Sequence, residues 1–405
     1  MMQRTKVRLG IGAMTAVVLV GGALTTAYAS PWSHKGDSSS GYQSAGYYQS
    51  NQSWMQQNVV TGTTTTTSLS STVPSNGDVN PYGVATVPMN MGYLYKGDVL
   101  VSNYNNKANT LGTGSTIVEI NPTTHKTRLF SWLTNSRMPS ACPGGIGLTD
   151  GLVVLRNGWV IVASLPASDG TYATAKSGCL IVLNSWGKAV SVITGHGING
   201  PWAMTAVDHG SSVQIFVANI LNGWSSSSVG QQVNKGTVVR LDLWTSQRYW
   251  NLVGVHTVAS GLPEMWSKDN FVQGVTGLAV WGSNLFISDS LSNRIAVVHW
   301  ATTRWSSGGL GFTLAEGGLL QQPLGIVILP RSAVILIVNG NNGNLIAVSQ
   351  TGRVVLVKAL DTTAMAGSMP GAGTLFDLAA SSNGQWAYYV DDSSNTLGAV
   401  GPLRG

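Results

Sequence analysis

Three runs decide the fold. Val275-Thr276-Gly277-Leu278-Ala279-Val280 is followed by Leu285-Phe286-Ile287-Ser288-Asp289, and Ser290-Leu291-Ser292-Asn293 leads into Arg294-Ile295-Ala296-Val297-Val298. Short runs of branched and aromatic residues, separated by Gly, Ser and Asn turns, read as strand, tight turn, strand, polar turn, strand. None of these runs carries the 3.6-residue apolar stripe or the caps of a helix. The same frame recurs five times. Val99–Asn103 precedes Ile117–Ile120, Val160–Ser164 precedes Leu180–Leu183, and Ile215–Asn219 precedes Val238–Leu241. Ile335–Asn339 precedes Leu345–Val348, and Ala387–Asp391 precedes Leu397–Val400. Asn103, Ser164, Asn219, Asp289, Asn339 and Asp391 end the matching strands, 50 to 70 positions apart, room for a four-stranded unit with extended loops. Six such units cannot bury their faces alone and are expected to stack radially. The predicted fold is all-β, a six-bladed β-propeller spanning 79–405.

The last unit is one strand short at Gly405. The β-branched stretch 59–67 either supplies the missing outer strand and closes the ring or belongs to the spacer before it. The run Pro323–Val338, the most apolar of the mature chain, is interrupted by Pro330 and Arg331 and reads as two buried strands. Loops at 104–114, 164–178, 220–236 and 254–272 are expected to decorate one face.

The blade at 275–298 resembles the NHL repeat, with its Gly-hydrophobic-Ala start, hydrophobic-Ser-Asp strand end and Asn-Arg-Ile return. The other blades keep the frame without the Asn-Arg. Asn80-Pro81-Tyr82-Gly83-Val84-Ala85 looks like the Asn-Pro-Trp-Gly opening of a family of exported bacterial propellers of unassigned function. Gly195-His196-Gly197-Ile198-Asn199-Gly200-Pro201-Trp202-Ala203 looks like a later copy, with Ala203 where that family prefers Gly. The resemblance implies a fold and an address rather than a reaction.

The address is also written at the N-terminus. Arg4, Lys6 and Arg8, an apolar stretch from Ile11 to Leu24, and Ala27-Tyr28-Ala29 read as a signal peptide over 1–29. Residues 30–78 form a Ser/Thr/Gln/Tyr-rich leader with little to bury, expected to be a flexible spacer or an assembly segment. An exported protein in the periplasm, at the cell surface or outside the cell is expected, with no membrane span after cleavage. Cys142 and Cys179 suit an oxidising compartment as one disulfide, with free buried thiols as the other reading.

Only 9% of the 405 residues are charged, against about 25% in an average soluble protein. The formal net charge is +6, and the signal's three basic residues leave the mature balance at +3. Without a Lys/Arg cluster, no nucleic-acid partner is expected. Few carboxylates also mean few groups whose protonation unfolds the chain, so an acid-tolerant protein is expected.

Candidate chemistry is sparse. The strand-ending ring could converge on a channel mouth as a binding site, with Asn103, Asn219 and Asn339 as ligands and Asp289 and Asp391 as a Ca or other divalent cation site. Equally, such residues bond the backbone of the turn that follows them. Asp377, in a first strand, is a candidate channel-facing acid or a satisfied core residue. His196 and Trp202, before and at the start of a first strand, are candidate mouth residues. Glu119 is placed inside a third strand, and Glu264 and Glu316 in long connections. No Ser-nucleophile elbow, zinc-binding His pair or phosphate loop is present. Trp186, Trp224, Trp244, Trp250, Trp266, Trp281, Trp300 and Trp305 either stack on sugars and partners or pack between blades. The reading is a non-catalytic binding or scaffold module for a protein or surface glycan. A metal-dependent lactonase-type hydrolase, using Asp289, Asp391 or Asp377 with Asn219 and Asn339, is the alternative. A matrix or filament subunit assembling through the leader is the third.

Overall fold

The computed structural model describes residues 64–403 apart from 172–173, 221, 224–227, 267–271 and 365–366. Six four-stranded antiparallel sheets form the blades of a β-propeller. Blade 1 holds β2 (Val79–Thr86), β3 (Val99–Asn105), β4 (Thr116–Asn121) and β5 (Lys126–Trp132). Blade 2 holds β6 (Leu148–Val154), β7 (Val160–Ser164), β8 (Cys179–Leu183) and β9 (Ala189–Ile193). Blade 3 holds β10 (Pro201–Asp208), β11 (Ser212–Asn219), β12 (Val233–Thr245) and β13 (Trp250–Glu264). Blade 4 holds β14 (Val275–Trp281), β15 (Asn284–Asp289), β16 (Arg294–Val298) and β17 (Phe312–Glu316). Blade 5 holds β18 (Pro323–Ile328), β19 (Ile335–Asn339), β20 (Asn344–Val348) and β21 (Val354–Ala359). Blade 6 holds β22 (Leu375–Ala380), β23 (Ala387–Asp391) and β24 (Thr396–Gly401), with β1 (Thr65–Ser71) as its outer strand.

β1 runs antiparallel to β24, with Thr65 opposite Gly401 and Ser71 opposite Thr396. The ring is therefore closed by strands from both ends of the described chain. The stretch 59–67 overlaps this strand only at Thr65–Thr67, and 59–63 lie outside the described residues. A polar clasp reinforces the seam. The Asn80 backbone N–H donates to Asn395 Oδ1 at 2.8 Å. Blade 4 repeats the device, where Gln322 N–H donates to Asn293 Oδ1 at 2.6 Å. Asn395 and Asn293 both have φ 51, a left-handed turn conformation that Asn tolerates better than most residues.

The core lies between blades. Ile161, Val182, Ile215 and Leu241 fill the gap between blades 2 and 3, and Phe286, Ile295, Ile337 and Ile346 that between blades 4 and 5. Middle strands are covered on both faces, which is why β8 reads Cys-Leu-Ile-Val-Leu with every residue buried. Cys142 and Cys179 are disulfide-bonded, Cα to Cα 5.6 Å. The bridge ties the connection entering blade 2 to the start of β8.

Two expectations are corrected. Most of 254–272, and the last residues of 220–236, are not loop, because β12 and β13 pair as one long ribbon with repeated register shifts. Glu264 and Glu316 accordingly end β13 and β17 rather than sitting in connections.

Inner strands begin at one end of the channel, here called upper, and finish at the other, the lower. In all six blades the pairing of inner and second strand shifts register just inside the upper end, as between Pro81 and Val84, Leu148 and Leu152, and Leu375 and Leu378. Such bulges break strand alternation and re-aim side chains.

Candidate functional site

The upper bulges assemble an aromatic cradle. Tyr82 on β2 stacks on Phe376 of β22 at 4.2 Å between centroids and meets Trp202 of β10 edge-on at 5.6 Å. Tyr104 of β3 lies 5.0 Å from Tyr82 and 5.7 Å from Trp202. Above them opens a cavity of about 640 Å³ rimmed by amides, among them Asn80, Asn105, Asn109, Gln322 and Asn341. Asn80 Oδ1 and Asn105 Oδ1 are buried and accept no hydrogen bond, although Asn105 Nδ2 donates to Asn109 Oδ1 at 2.7 Å. A buried amide oxygen without a partner forfeits its hydration, so both are poised to accept from a ligand hydroxyl or N–H.

Two carboxyls lie within the same bulges, on the inner strands flanking blade 1. Asp150 of β6 is buried, and burial together with the nearby Asp377 charge holds it well above the usual carboxylate range, against a hydrogen bond from Trp202. Asp377 of β22, next to Phe376, is half-buried. Burial raises it to about 7, although the backbone N–H groups of Val84 and Leu378 donate to it. Val84 N–H reaches Asp377 Oδ2 at 3.0 Å. Two neighbouring acids in a low-dielectric site cannot both ionise readily, so ionising one opposes ionising the other. Asp392, on the cavity rim, is raised to about 6 by burial and by Asp391. The phenols of Tyr82 and Tyr104 are likewise pushed up by burial and by Asp150.

The strand-ending residues are placed elsewhere. Asn103, Ser164, Asn219, Asp289 and Asn339 are fully buried. Asn219 Oδ1 accepts from Asn199 N–H at 3.2 Å, Asn339 Oδ1 from Gln321 N–H at 3.2 Å, and Ser164 Oγ from Gly147 N–H at 3.0 Å. Asn103 Nδ2 donates to Thr72 O at 3.0 Å. Each of these bonds ties the end of the second strand to the chain entering the first strand of the same blade. Asp289 Oδ1 accepts from Ser292 N–H at 3.1 Å, and its Oδ2 lies 3.4 Å from Arg294 Nε. Asp391 Oδ1 accepts from Ser393 Oγ at 2.7 Å. These two aspartates close turns in blades 4 and 6, and no three His, Cys, Asp or Glu side chains among the described residues group as a metal would need. His196 lies on an exposed turn at φ 54 and does not line the cavity.

Of the residues suggested by sequence, Asp377 and Trp202 are thus brought together at the channel, whereas Asn103, Asn219, Asn339, Asp289, Asp391 and His196 are not. Asp150, Tyr82, Tyr104 and Phe376 were not singled out. One signal was available: Leu148-Thr149-Asp150 and Leu375-Phe376-Asp377 occupy the same place in their blades.

No protein-family model matches the chain, and no curated protein does. Among solved structures, a gluconolactonase from Xanthomonas campestris is similar with a TM-score of 0.50 and 11% identity, over 84% of this chain and 90% of that one. A luciferin-regenerating enzyme gives a TM-score of 0.50 and 10% identity, over 84% of this chain and 96% of that one. At such identity the likeness shows the propeller fold alone.

Proposed function

We propose that this propeller is an exported binding module whose upper channel mouth takes a neutral, hydroxyl-rich ligand, a sugar unit of a surface glycan. The observation that carries the reading is the pairing of an aromatic floor with buried, unsatisfied amide oxygens at Asn80 and Asn105. Ring faces stack on the C–H side of a sugar, and amide oxygens accept from its hydroxyls. The cavity, about 640 Å³, falls within the range of small-ligand sites. The disulfide and the N-terminal signal pattern support the exported setting.

The test is calorimetric titration of the protein with a panel of neutral mono- and oligosaccharides. Binding that weakens at least tenfold in both Phe376→Ala and Asn105→Ala is expected. Absence of binding across the panel at millimolar concentration, or unchanged affinity in both variants, overturns it.

One observation favours the hydrolase reading, namely Asp377 poised near neutrality beside the cradle. In that reading Asp377 keeps a general acid or base role, while Asn219, Asn339, Asp289 and Asp391 are already engaged in their own blades. Turnover of a lactone panel that disappears in Asp377→Asn would replace the binding reading with this one. The assembly reading rests on the 30–78 leader, of which 30–63 lie outside the described residues and Thr65–Ser71 is already used as β1 in closing the ring.

A further inference from the structure

The lower end of the propeller is chemically unlike the upper. Its hairpin turns carry most of the exposed aromatic side chains, while the upper end presents Trp132 at the close of β5. Trp186 lies between β8 and β9, Tyr249 between β12 and β13, and Trp300 and Trp305 between β16 and β17, with Tyr95 between β2 and β3. Trp305 is 81% exposed and Trp300 68%. Of the eight tryptophans weighed between stacking and inter-blade packing, Trp266 is buried, Trp250 half-buried, Trp224 outside the described residues, and Trp186, Trp244, Trp281, Trp300 and Trp305 exposed.

The same turns are cationic. Lys96, Lys126, Arg156, Lys188, Arg248 and Arg331 are exposed there. Among the described residues no carboxylate at this end is exposed. Asp98 and Glu119 are buried, with Glu119 paired to Arg128, while Asp208 and Asp242 are half-buried and Asp242 is paired to Arg240. Arg128 also lies over the Tyr95 ring, 4.8 Å from its centroid. At the upper end the exposed bases Lys107, Arg137, Lys176 and Lys235 are partly offset by the exposed acids Asp169 and Glu316.

We infer that the lower end docks on an anionic lipid bilayer, with the aromatic turn tips at headgroup level and the lysines and arginines against anionic headgroups. Trp and Tyr favour the membrane–water interface, where one edge of the ring is apolar and the other wet. Basic residues beside them gain from the negative surface potential. The aromatic tips belong to blades 1 to 4 and are spread around the rim. A plane can meet them together, whereas a single polymer strand lying in one groove would touch only some. Docked this way, the protein turns its channel mouth away from the bilayer, toward whatever lies beyond it. This inference is independent of the mouth's ligand.

The experiment is co-sedimentation of the full chain with vesicles of phosphatidylcholine containing 30% phosphatidylglycerol (~30 mol%, a strongly anionic surface), against pure phosphatidylcholine. The uncharged vesicles subtract any contribution of the apolar stretch near the N-terminus. Anionic-vesicle binding that weakens with salt and falls at least tenfold in Lys96→Glu/Arg156→Glu/Arg331→Glu is expected. The matched upper-end variant Lys107→Glu/Arg137→Glu/Lys176→Glu should bind like the parent. Brominated lipid should quench the parent's fluorescence and quench Trp300→Ala/Trp305→Ala less. Circular dichroism confirms that each variant is folded. Equal binding to both vesicle types, no binding, or equal loss in the two charge variants overturns the inference. Tight binding to soluble dextran sulfate without quenching by brominated lipid overturns it in favour of an anionic polymer.

Discussion

Every blade carries two polar-capable positions near the upper end, and they behave in opposite ways. At the end of the second strand the residue is polar in all six blades: Asn103, Ser164, Asn219, Asp289, Asn339 and Asp391. Two residues into the inner strand's pairing frame, the residues are Gly83, Asp150, Ala203, Gly277, Gly325 and Asp377, so only two blades are polar. The uniform ring bonds backbone and builds the fold. The irregular ring is where chemistry collects. A feature repeated in every blade answers a demand that every blade makes, here satisfying backbone at the strand's end: the chain entering the inner strand in blades 1, 2, 3 and 5, and the following turn in blades 4 and 6. A feature present in two blades answers a local demand. Small residues dominate the second ring because neighbouring inner strands approach closely. A Cβ on Gly277 would lie 2.2 Å from Leu324 O, and one on Gly83 2.5 Å from Asp150 O.

The largest expected effect tests the irregular ring through pH. Asp377 and Glu119 are raised to about 7 and Glu264 to about 9, each chiefly by burial. Below about pH 4 both folded and unfolded chains hold these protons, so the stability is fully present. As pH rises, the unfolded chain releases them first, and stability falls through the folded values. Urea unfolding should therefore show stability falling between about pH 4 and pH 9, with Asp377 alone supplying on the order of 4 kcal/mol of the loss. Asp377→Asn should flatten the part of the slope below about pH 7. A profile that instead rises with pH would break the account of this ring. Scarce charge alone leads to an expected indifference to acid; the raised Asp377, Glu119 and Glu264 tilt that expectation toward acid, against the lowered Asp169 and Asp361.

A smaller effect tests why the irregular ring is mostly glycine. Gly277→Val must push the Leu324 carbonyl away and should lower the unfolding free energy by about 3 kcal/mol, read as a reduced urea midpoint. A midpoint within error of the parent would show that the inner strands have slack there.

The smallest of the three concerns the uniform ring. Asn339→Leu removes the acceptor for Gln321 N–H and the donor to Leu319 O. It should cost about 2 kcal/mol of stability while leaving the folded protein's affinity for any mouth ligand unchanged. A selective loss of affinity would move Asn339 from the fold's clasp into the site.

How much was legible follows from the same contrast. The blades could be read because apolar runs and polar turns recur at fixed places, whereas 59–67 could be offered only as ring-closing strand or spacer, a choice made by the pairing of Thr65–Ser71 with β24. The site could be read only at Asp377 and Trp202. Tyr82 and Phe376 looked like ordinary strand residues, and Asp150 sat in a strand whose alternation the bulge interrupts. Tyr104 follows Asn103 directly, but nothing in the repeated strand ends distinguishes the residue after them. The lower-end aromatics were noticed, but whether a tryptophan near a turn packs between blades or projects from one depends on how far the outer strands overlap.

The sequence by itself determined six blades, their strand order and a polar residue at each second-strand end, because those follow from local alternation and repetition along the chain. Only the tertiary structure decided that Asp150 and Asp377 share one site, that Tyr82 stacks on Phe376, and that the two ends of the channel differ in charge. Those pairings join residues hundreds of positions apart, and they exist only because ring closure brings blade 6 against blade 1 and the inner-strand bulges turn their side chains toward a common axis.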